Sequence, residues 1–358
     1  MTVAWLFPGQ GSQAVGMARD VLDASAAARA VFARADAALA GAWPDGRRLS
    51  QLILEGPKEE LTLTANAQPA LVATSIAILE AIREIAPDAP APALAAGHSL
   101  GEYSALVAAG ALSLEDAVRV VRARGQAMQD AVPAGVGAMA AVMSVELPRL
   151  TELCAAAIEG HPGETVAPAN FNSPGQIVVA GHAGAVARLR ELVAAEKGKA
   201  IALEVSAPFH CTLMAPAARA LEPVLAAAAF VEGTFPVIAN FDARPNRDPA
   251  RARELLIRQV DGAVRWEESI RWMAAGGVTH ALEIGPGKVL ANFAKRIVKD
   301  VRVLSVSDAA SLAQVPAFLA EAAEAALATE RTTLVGLVGL AAVGLAGVGA
   351  PGPAMEPT

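Results

Sequence analysis

The pentapeptide Gly97-His98-Ser99-Leu100-Gly101 constrains this chain more than any other feature. It fits G-x-S-x-G, with an apolar run at 93–96 before it and a helical pattern to about residue 109 after it. A strand, a sharp turn and a helix form the context that this pattern requires. Small flanking residues let the chain reverse and lift a serine hydroxyl above the carboxyl end of a strand. The helix N-terminus beneath supplies backbone N–H groups and a partial positive charge. The plain alternative is a glycine-rich turn in which Ser99 merely caps the helix. The strand and helix on either side favour the nucleophile.

The rest of the chain reads as α/β. Residues 3–7 are a short apolar run broken by Pro8-Gly9, hence a buried strand ending in a loop. Helical patterns follow, including 68–85, which Pro87 closes. Ser113, with Asp116 three residues on, caps a helix running to about residue 129. From about 135 to 205 the rhythm changes. Strand-like segments at 138–145, 165–171, 176–180 and 200–205 alternate with helical ones at 147–158 and 183–195. That β-α-β-β-α-β order is the ferredoxin-like one. The expected organisation is a larger α/β-hydrolase-like domain, 1–134 and 206–327, with a parallel sheet and a nucleophile elbow, carrying a ferredoxin-like subdomain inserted at 135–205. A strand at 281–284 precedes the turn Gly285-Pro286-Gly287. Residues 328–358 form a low-complexity apolar tail. Its stretch 334–350 holds five glycines in 17 residues, whereas a membrane span needs about 20 predominantly apolar ones. A disordered extension and a membrane or partner attachment both remain open for it.

A serine nucleophile needs a base. The chain has five histidines: His98, His161, His182, His210 and His280. His98 adjoins the serine, but neighbours at a tight turn point different ways. His161 and His182 lie in the inserted unit, and His280 opens an apolar strand. His210 stands out in Ser206-Ala207-Pro208-Phe209-His210-Cys211, a turn between a strand and a helix. Activity should fall below a pH near this histidine's own titration, since protonation removes the base. Cys211 reads as a half-buried structural cysteine. Arg124, in Arg119-Val120-Val121-Arg122-Ala123-Arg124-Gly125, has two readings, a solvated residue on a basic helix face or a carboxylate ligand.

Composition removes other classes. A net charge of −7 and 4% aromatic residues argue against broad phosphate neutralisation or a base-stacking platform, so no nucleic acid is expected. Two cysteines, with neither CxxC nor clustered histidines, make no disulfide framework and no metal site. With an N-terminal apolar run too short for a signal peptide, a cytoplasmic location is expected.

Several motifs together carry a resemblance. Phe7-Pro8-Gly9-Gln10-Gly11-Ser12-Gln13, Gly97-His98-Ser99-Leu100-Gly101-Glu102-Tyr103, Arg124-Gly125 and Ser206-Ala207-Pro208-Phe209-His210 closely resemble the malonyl-CoA:acyl-carrier-protein transacylase family. Asn170-Phe171-Asn172-Ser173-Pro174-Gly175-Gln176 and Glu283-Ile284-Gly285-Pro286-Gly287-Lys288-Val289-Leu290 agree with it. The resemblance covers about residues 1–320. It implies malonyl transfer from coenzyme A to the phosphopantetheine thiol of an acyl carrier protein through a serine acyl-enzyme, with no cofactor of the enzyme's own. Ser99 is then the nucleophile and His210 the general base, oriented by a backbone carbonyl at the position of Gln259. Backbone N–H groups of Gln10 and Leu100 form the oxyanion hole. Arg124 holds the malonyl carboxylate, and Phe209 narrows the acyl pocket.

The alternative kept beside this reading is an acyl hydrolase, an editing thioesterase on the same scaffold. Against it, Arg124 favours a dicarboxylic acyl group. Two other rivals fit less well. A serine hydrolase would want a carboxylate third member before the histidine and leaves Phe7 to Gln13 unexplained. A phosphate site at Gly285-Pro286-Gly287-Lys288 lacks the G-x-x-x-x-G-K-[ST] spacing.

Overall fold

The computed structural model describes residues 3–328 apart from Ala134, Glu204 and Ser206. Among them are ten strands. In chain order these are β1 (Val3–Phe7), β2 (Leu94–Gly97), β3 (Gly137–Met143), β4 (Val166–Ser173), β5 (Gln176–His182), β6 (Lys199–Ala202), β7 (Val237–Ile238), β8 (Pro245–Asn246), β9 (His280–Ile284) and β10 (Arg302–Val306).

The larger sheet has the order β10-β9-β1-β2-β7-β8. All its pairings are parallel except β7 with β8, so it is a mixed, mostly parallel sheet. All five residues of β1 are buried, as a strand covered on both faces must be. Val3, Trp5 and Phe7 point into one core with the helices Thr64–Ile85 and Leu114–Asp130. Ala4 and Leu6 point into the other, with Trp266–Ala275 and Val289–Ile297. The period-2 alternation of side chains thus feeds two cores on opposite faces.

The smaller sheet, β4-β5-β3-β6, is wholly antiparallel. One face packs on the helices Leu147–Ile158 and Ala183–Ala195. The other turns Met139, Ala169 and Val178 toward Cys211 and Phe209 of the larger unit. Backbone bonds from Phe171 N to Val264 O, 2.8 Å, and from Val264 N to Ala169 O, 2.9 Å, join the two units.

Helix Thr64–Ile85 begins four residues before the sequence pattern suggested, and Pro69 lies inside it. Proline favours a first helical turn, so it reads as a start signal, yet unbroken burial from Thr64 to Leu79 outweighs its missing N–H. This helix alone among those described is long and apolar enough to cross a bilayer, but 94% of its apolar window is buried inside the protein. It is the core helix. β6 stops at Ala202, short of the expected 205. The tail from 329 onward lies outside the described residues.

Candidate active site

Because β1 and β2 are adjacent and parallel, with Phe7 opposite Gly97, their carboxyl ends deliver two loops to one place. Ligands gather at such an edge in open α/β sheets. Ser99 follows β2 in a left-handed conformation, φ 50°, which a non-glycine residue adopts at some cost. The glycines beside it are forced by close approach. A Cβ on Gly97 would lie 1.8 Å from the Gly101 carbonyl carbon, and one on Gly101 would lie 2.1 Å from the Phe7 oxygen. Asn240, just past β7, braces the turn. Its amide nitrogen donates to Gly97 O at 2.7 Å, and its oxygen accepts from Ser99 N at 2.5 Å.

His210 also has a positive φ, 65°. Its Nε2 lies 2.7 Å from Ser99 Oγ, and its Nδ1 lies 2.7 Å from the backbone oxygen of Gln259. A carbonyl only accepts, so Nδ1 carries the proton and Nε2 is left to accept from the serine hydroxyl. Gln259 sits in the last turn of helix Pro249–Asp261, where carbonyls lack intrahelical partners. The histidine therefore uses an otherwise orphaned acceptor at the negative end of a helix. Burial, then the nearby Arg124 charge, push the His210 imidazole down to about 3. It is neutral, and competent as a base, through the whole neutral range. Loss of activity on acidification is therefore expected well below ordinary histidine titration, because a buried imidazole beside a cation resists protonation.

Arg124 is 2% exposed. The solvated helix-face reading is thereby excluded. Gly125 lets its helix approach closely, since a Cβ there would lie 2.6 Å from Ala65 Cα. The guanidinium donates to Gln68 Oε1 at 2.8 Å, Gln259 Oε1 at 2.8 Å and Ser99 Oγ at 3.2 Å. Those partners are all uncharged. A desolvated cation is thus held against the serine hydroxyl with anion-binding capacity in reserve.

Ser99, His210, Arg124 and Gln68 line a cavity of about 290 Å³ together with Gln10, Leu100 and Phe209. Neither the Gln10 nor the Leu100 backbone N–H meets an acceptor among the described residues. The Gln10 side chain is tethered to Thr64 Oγ1 at 3.0 Å. Phe209 is half-buried between the smaller sheet and the main core.

The remaining histidines stand apart from the hydroxyl. His98 bonds Asn172 Oδ1 through Nε2 at 2.8 Å and packs against Trp266, ring centres 5.5 Å apart. His182 accepts from Thr165 N at 3.0 Å, His280 meets Phe318 edge to face, and His161 is exposed. Burial pushes the Cys211 thiol up to about 11, so it is not a reactive thiolate at neutral pH. The helix N-terminus after Gly287 is already filled by protein. Glu283 accepts from Leu290 N at 2.8 Å and Ala291 N at 3.1 Å, which leaves no place for a phosphate.

Sequence reasoning assigned no role to Gln68, Asn240 or Glu102. Glu102 is 3% exposed, and burial pushes its carboxyl up to about 7. A lone charge in the otherwise uncharged helix Gly101–Ala108 was the available signal. Asn240 closes the apolar run through β7 and offered less.

Comparison with known proteins bears on the family. A sequence model of the acyl transferase domain family matches residues 4–337. The malonyl CoA-acyl carrier protein transacylase of Bacillus subtilis is 49% identical over 310 residues, 86% of this chain and 93% of that protein. Its namesake from Escherichia coli K12 is 44% identical over 311 residues, 87% and 97% of the two chains. The crystal structure of an acyl carrier protein S-malonyltransferase from Vibrio cholerae superposes with a TM-score of 0.83 at 45% identity, covering 88% of this chain and all of that one. A malonyl-transacylase solved in complex with its type II PKS acyl-carrier protein gives 0.82 at 42% identity, covering 88% and 98%. With its α/β fold and mostly parallel mixed sheet, this chain belongs to the acyl transferase domain family.

Proposed function

We propose that this protein is an [acyl-carrier-protein] S-malonyltransferase, moving malonyl from coenzyme A to the phosphopantetheine thiol of an acyl carrier protein through a Ser99 ester. The observation that carries the substrate assignment is Arg124, a buried cation whose hydrogen-bond partners are all neutral, 3.2 Å from the Ser99 hydroxyl. A planar guanidinium pairs with a carboxylate in two-pronged fashion, and malonyl is an acyl group that brings one.

The reaction closes in two symmetrical halves. His210 Nε2 takes the Ser99 proton as Oγ attacks the thioester carbon. The tetrahedral oxyanion is held by the N–H groups of Gln10 and Leu100. Collapse breaks the carbon–sulfur bond, and the departing coenzyme A thiolate recovers the proton from His210. The carrier thiol then gives its proton to His210 and attacks the ester carbonyl. Ser99 leaves and is reprotonated. A backbone carbonyl suffices to orient His210 because a thiolate departs more readily than an amine. No cofactor or metal is required by this chemistry.

We read the turn at Ser99 as a nucleophile elbow, and residues 135–205 as a ferredoxin-like insertion between halves 1–134 and 206–327 of the catalytic domain. The β3-helix-β4-β5-helix-β6 order and the strand order β4-β5-β3-β6 support the insertion. Its role is to roof the cavity with Met139 and Val178. Phe209, beside His210, narrows the acyl site against branched groups. Two buried unpaired thiols, Cys154 and Cys211, support a cytoplasmic setting.

Brief mixing with malonyl-CoA and no carrier tests the assignment by intact mass. A stable malonyl adduct on the Ser99 peptide supports transfer. Rapid release of free malonate without an adduct identifies a hydrolase instead.

A further inference from the structure

We propose that Glu102 is a positioning residue for the acyl-transfer site, acting through Gln259 to hold both His210 and Arg124. The inference rests on the malonyl-transfer reading above and adds to it a residue outside the reacting shell.

One oxygen of the Glu102 carboxylate, Oε2, accepts two hydrogen bonds. They come from Gln259 Nε2 at 2.8 Å and from Asn240 N at 2.9 Å. Each donor residue holds a different half of the site. Gln259 presents its backbone oxygen to His210 Nδ1 and its side-chain oxygen to Arg124 Nη2, and its Nε2 also reaches Ser99 O at 2.9 Å. Asn240 clamps the turn at Gly97 O and Ser99 N. The Gln259 amide is therefore strung between a buried cation and a buried acid, with its oxygen toward Arg124 and its nitrogen toward Glu102. That polarity fixes which way the amide faces. Without the acid the amide can rotate, and Arg124 loses a 2.8 Å partner at its catalytic end. Glu102, at the start of the elbow helix, touches neither the hydroxyl nor the imidazole.

A burial role alone would lower the fraction of folded enzyme and leave each folded site unaltered. A positioning role alters the site itself, including its preference for a carboxylated acyl group. The test measures acylation rates with malonyl-CoA and acetyl-CoA per active site, counted by burst titration, in wild type and in E102A, E102Q, Q259A and E102A/Q259A. Glu102→Ala is expected to slow malonyl acylation about tenfold or more, the scale of one lost buried hydrogen bond to a charged group. It is also expected to reduce the malonyl-to-acetyl ratio. Glu102→Gln keeps an acceptor oxygen for both N–H groups and is expected to recover most of the loss and the ratio. The double variant should lose clearly less than the two single losses combined, because both changes break the shared Glu102–Gln259 connection. An unchanged ratio per site in E102A, no recovery in E102Q, or additive losses in the double variant each overturn the proposal. Wild type separates this outcome from the parent reading: no malonyl adduct there refutes the transferase assignment before Glu102 is in question.

Discussion

Replacing Arg124 with alanine probes the substrate assignment most directly. Two costs must be separated. The first is stability, since removal strands Gln68 Oε1 and Gln259 Oε1, both in buried residues. A buried acceptor left unsatisfied costs about 1–3 kcal/mol. Against a typical total of about 5–15 kcal/mol, the variant should fold with a visibly lower melting temperature. The second cost falls on the reaction. Truncating one partner of a buried charge pair costs about 2–5 kcal/mol, against under about 1 for an exposed pair. At 2% exposure Arg124 belongs to the buried case. Malonyl kcat/KM should then fall about 30-fold at least, and up to several thousand-fold. Acetyl-CoA brings no carboxylate and should be used as well as before or better. Lysine restores charge without the two-pronged geometry, so Arg124→Lys should recover only part. The readout is the malonyl-to-acetyl ratio of kcat/KM in wild type and both variants, on folded protein. A second consequence follows from sign. The Arg124 charge helps depress the His210 imidazole, so its removal should move the acid limb of acetyl transfer to higher pH. An unchanged ratio in Arg124→Ala would refute the argument and place carboxylate recognition elsewhere.

Ser99→Ala should abolish both adduct and transfer with the fold retained, and a malonylated peptide that excludes Ser99 would end that assignment. His210→Ala should slow acylation by about two to four orders of magnitude. For wild type, acylation kcat/KM should stay level as pH falls through 6.5, because the free-enzyme base protonates only near 3; a midpoint at ordinary histidine titration would show that the site is wetter than its burial implies. Gly101→Ala should fail to fold or should displace β1, since its Cβ would meet the Phe7 oxygen at 2.1 Å, and a soluble, fully active Gly101→Ala protein would contradict the packing described at the turn.

The local readings that came from the sequence rested on local physics. Apolar runs ended by Pro8-Gly9 and Gly97 marked β1 and β2, because a strand's burial and the turn that ends it lie in adjacent residues. Ser113 capped its helix as its side chain dictates, accepting from Asp116 N at 3.0 Å. Ser99 was singled out for the same reason, a strand, a turn and a helix in twenty residues. Other features arose only from tertiary structure. β7 and β8 are two residues each, too short for any periodicity, and exist because a neighbouring strand supplies their hydrogen bonds. His210 already stood out in its turn and through the family resemblance, but that it meets Ser99 at 2.7 Å across 111 residues is a fact of the fold alone. Arg124 carried two readings, with the resemblance favouring a carboxylate ligand, and its burial, with Gly125 pressed against Ala65, removes the solvated one. Glu102 and Asn240 drew no site role from the sequence because their contacts run through Gln259 and the turn backbone, over separations of up to 157 residues. A sequence records which side chains a helix or turn contains, whereas hydrogen-bond partners, desolvation and the charge state of a buried base depend on what distant segments place beside them.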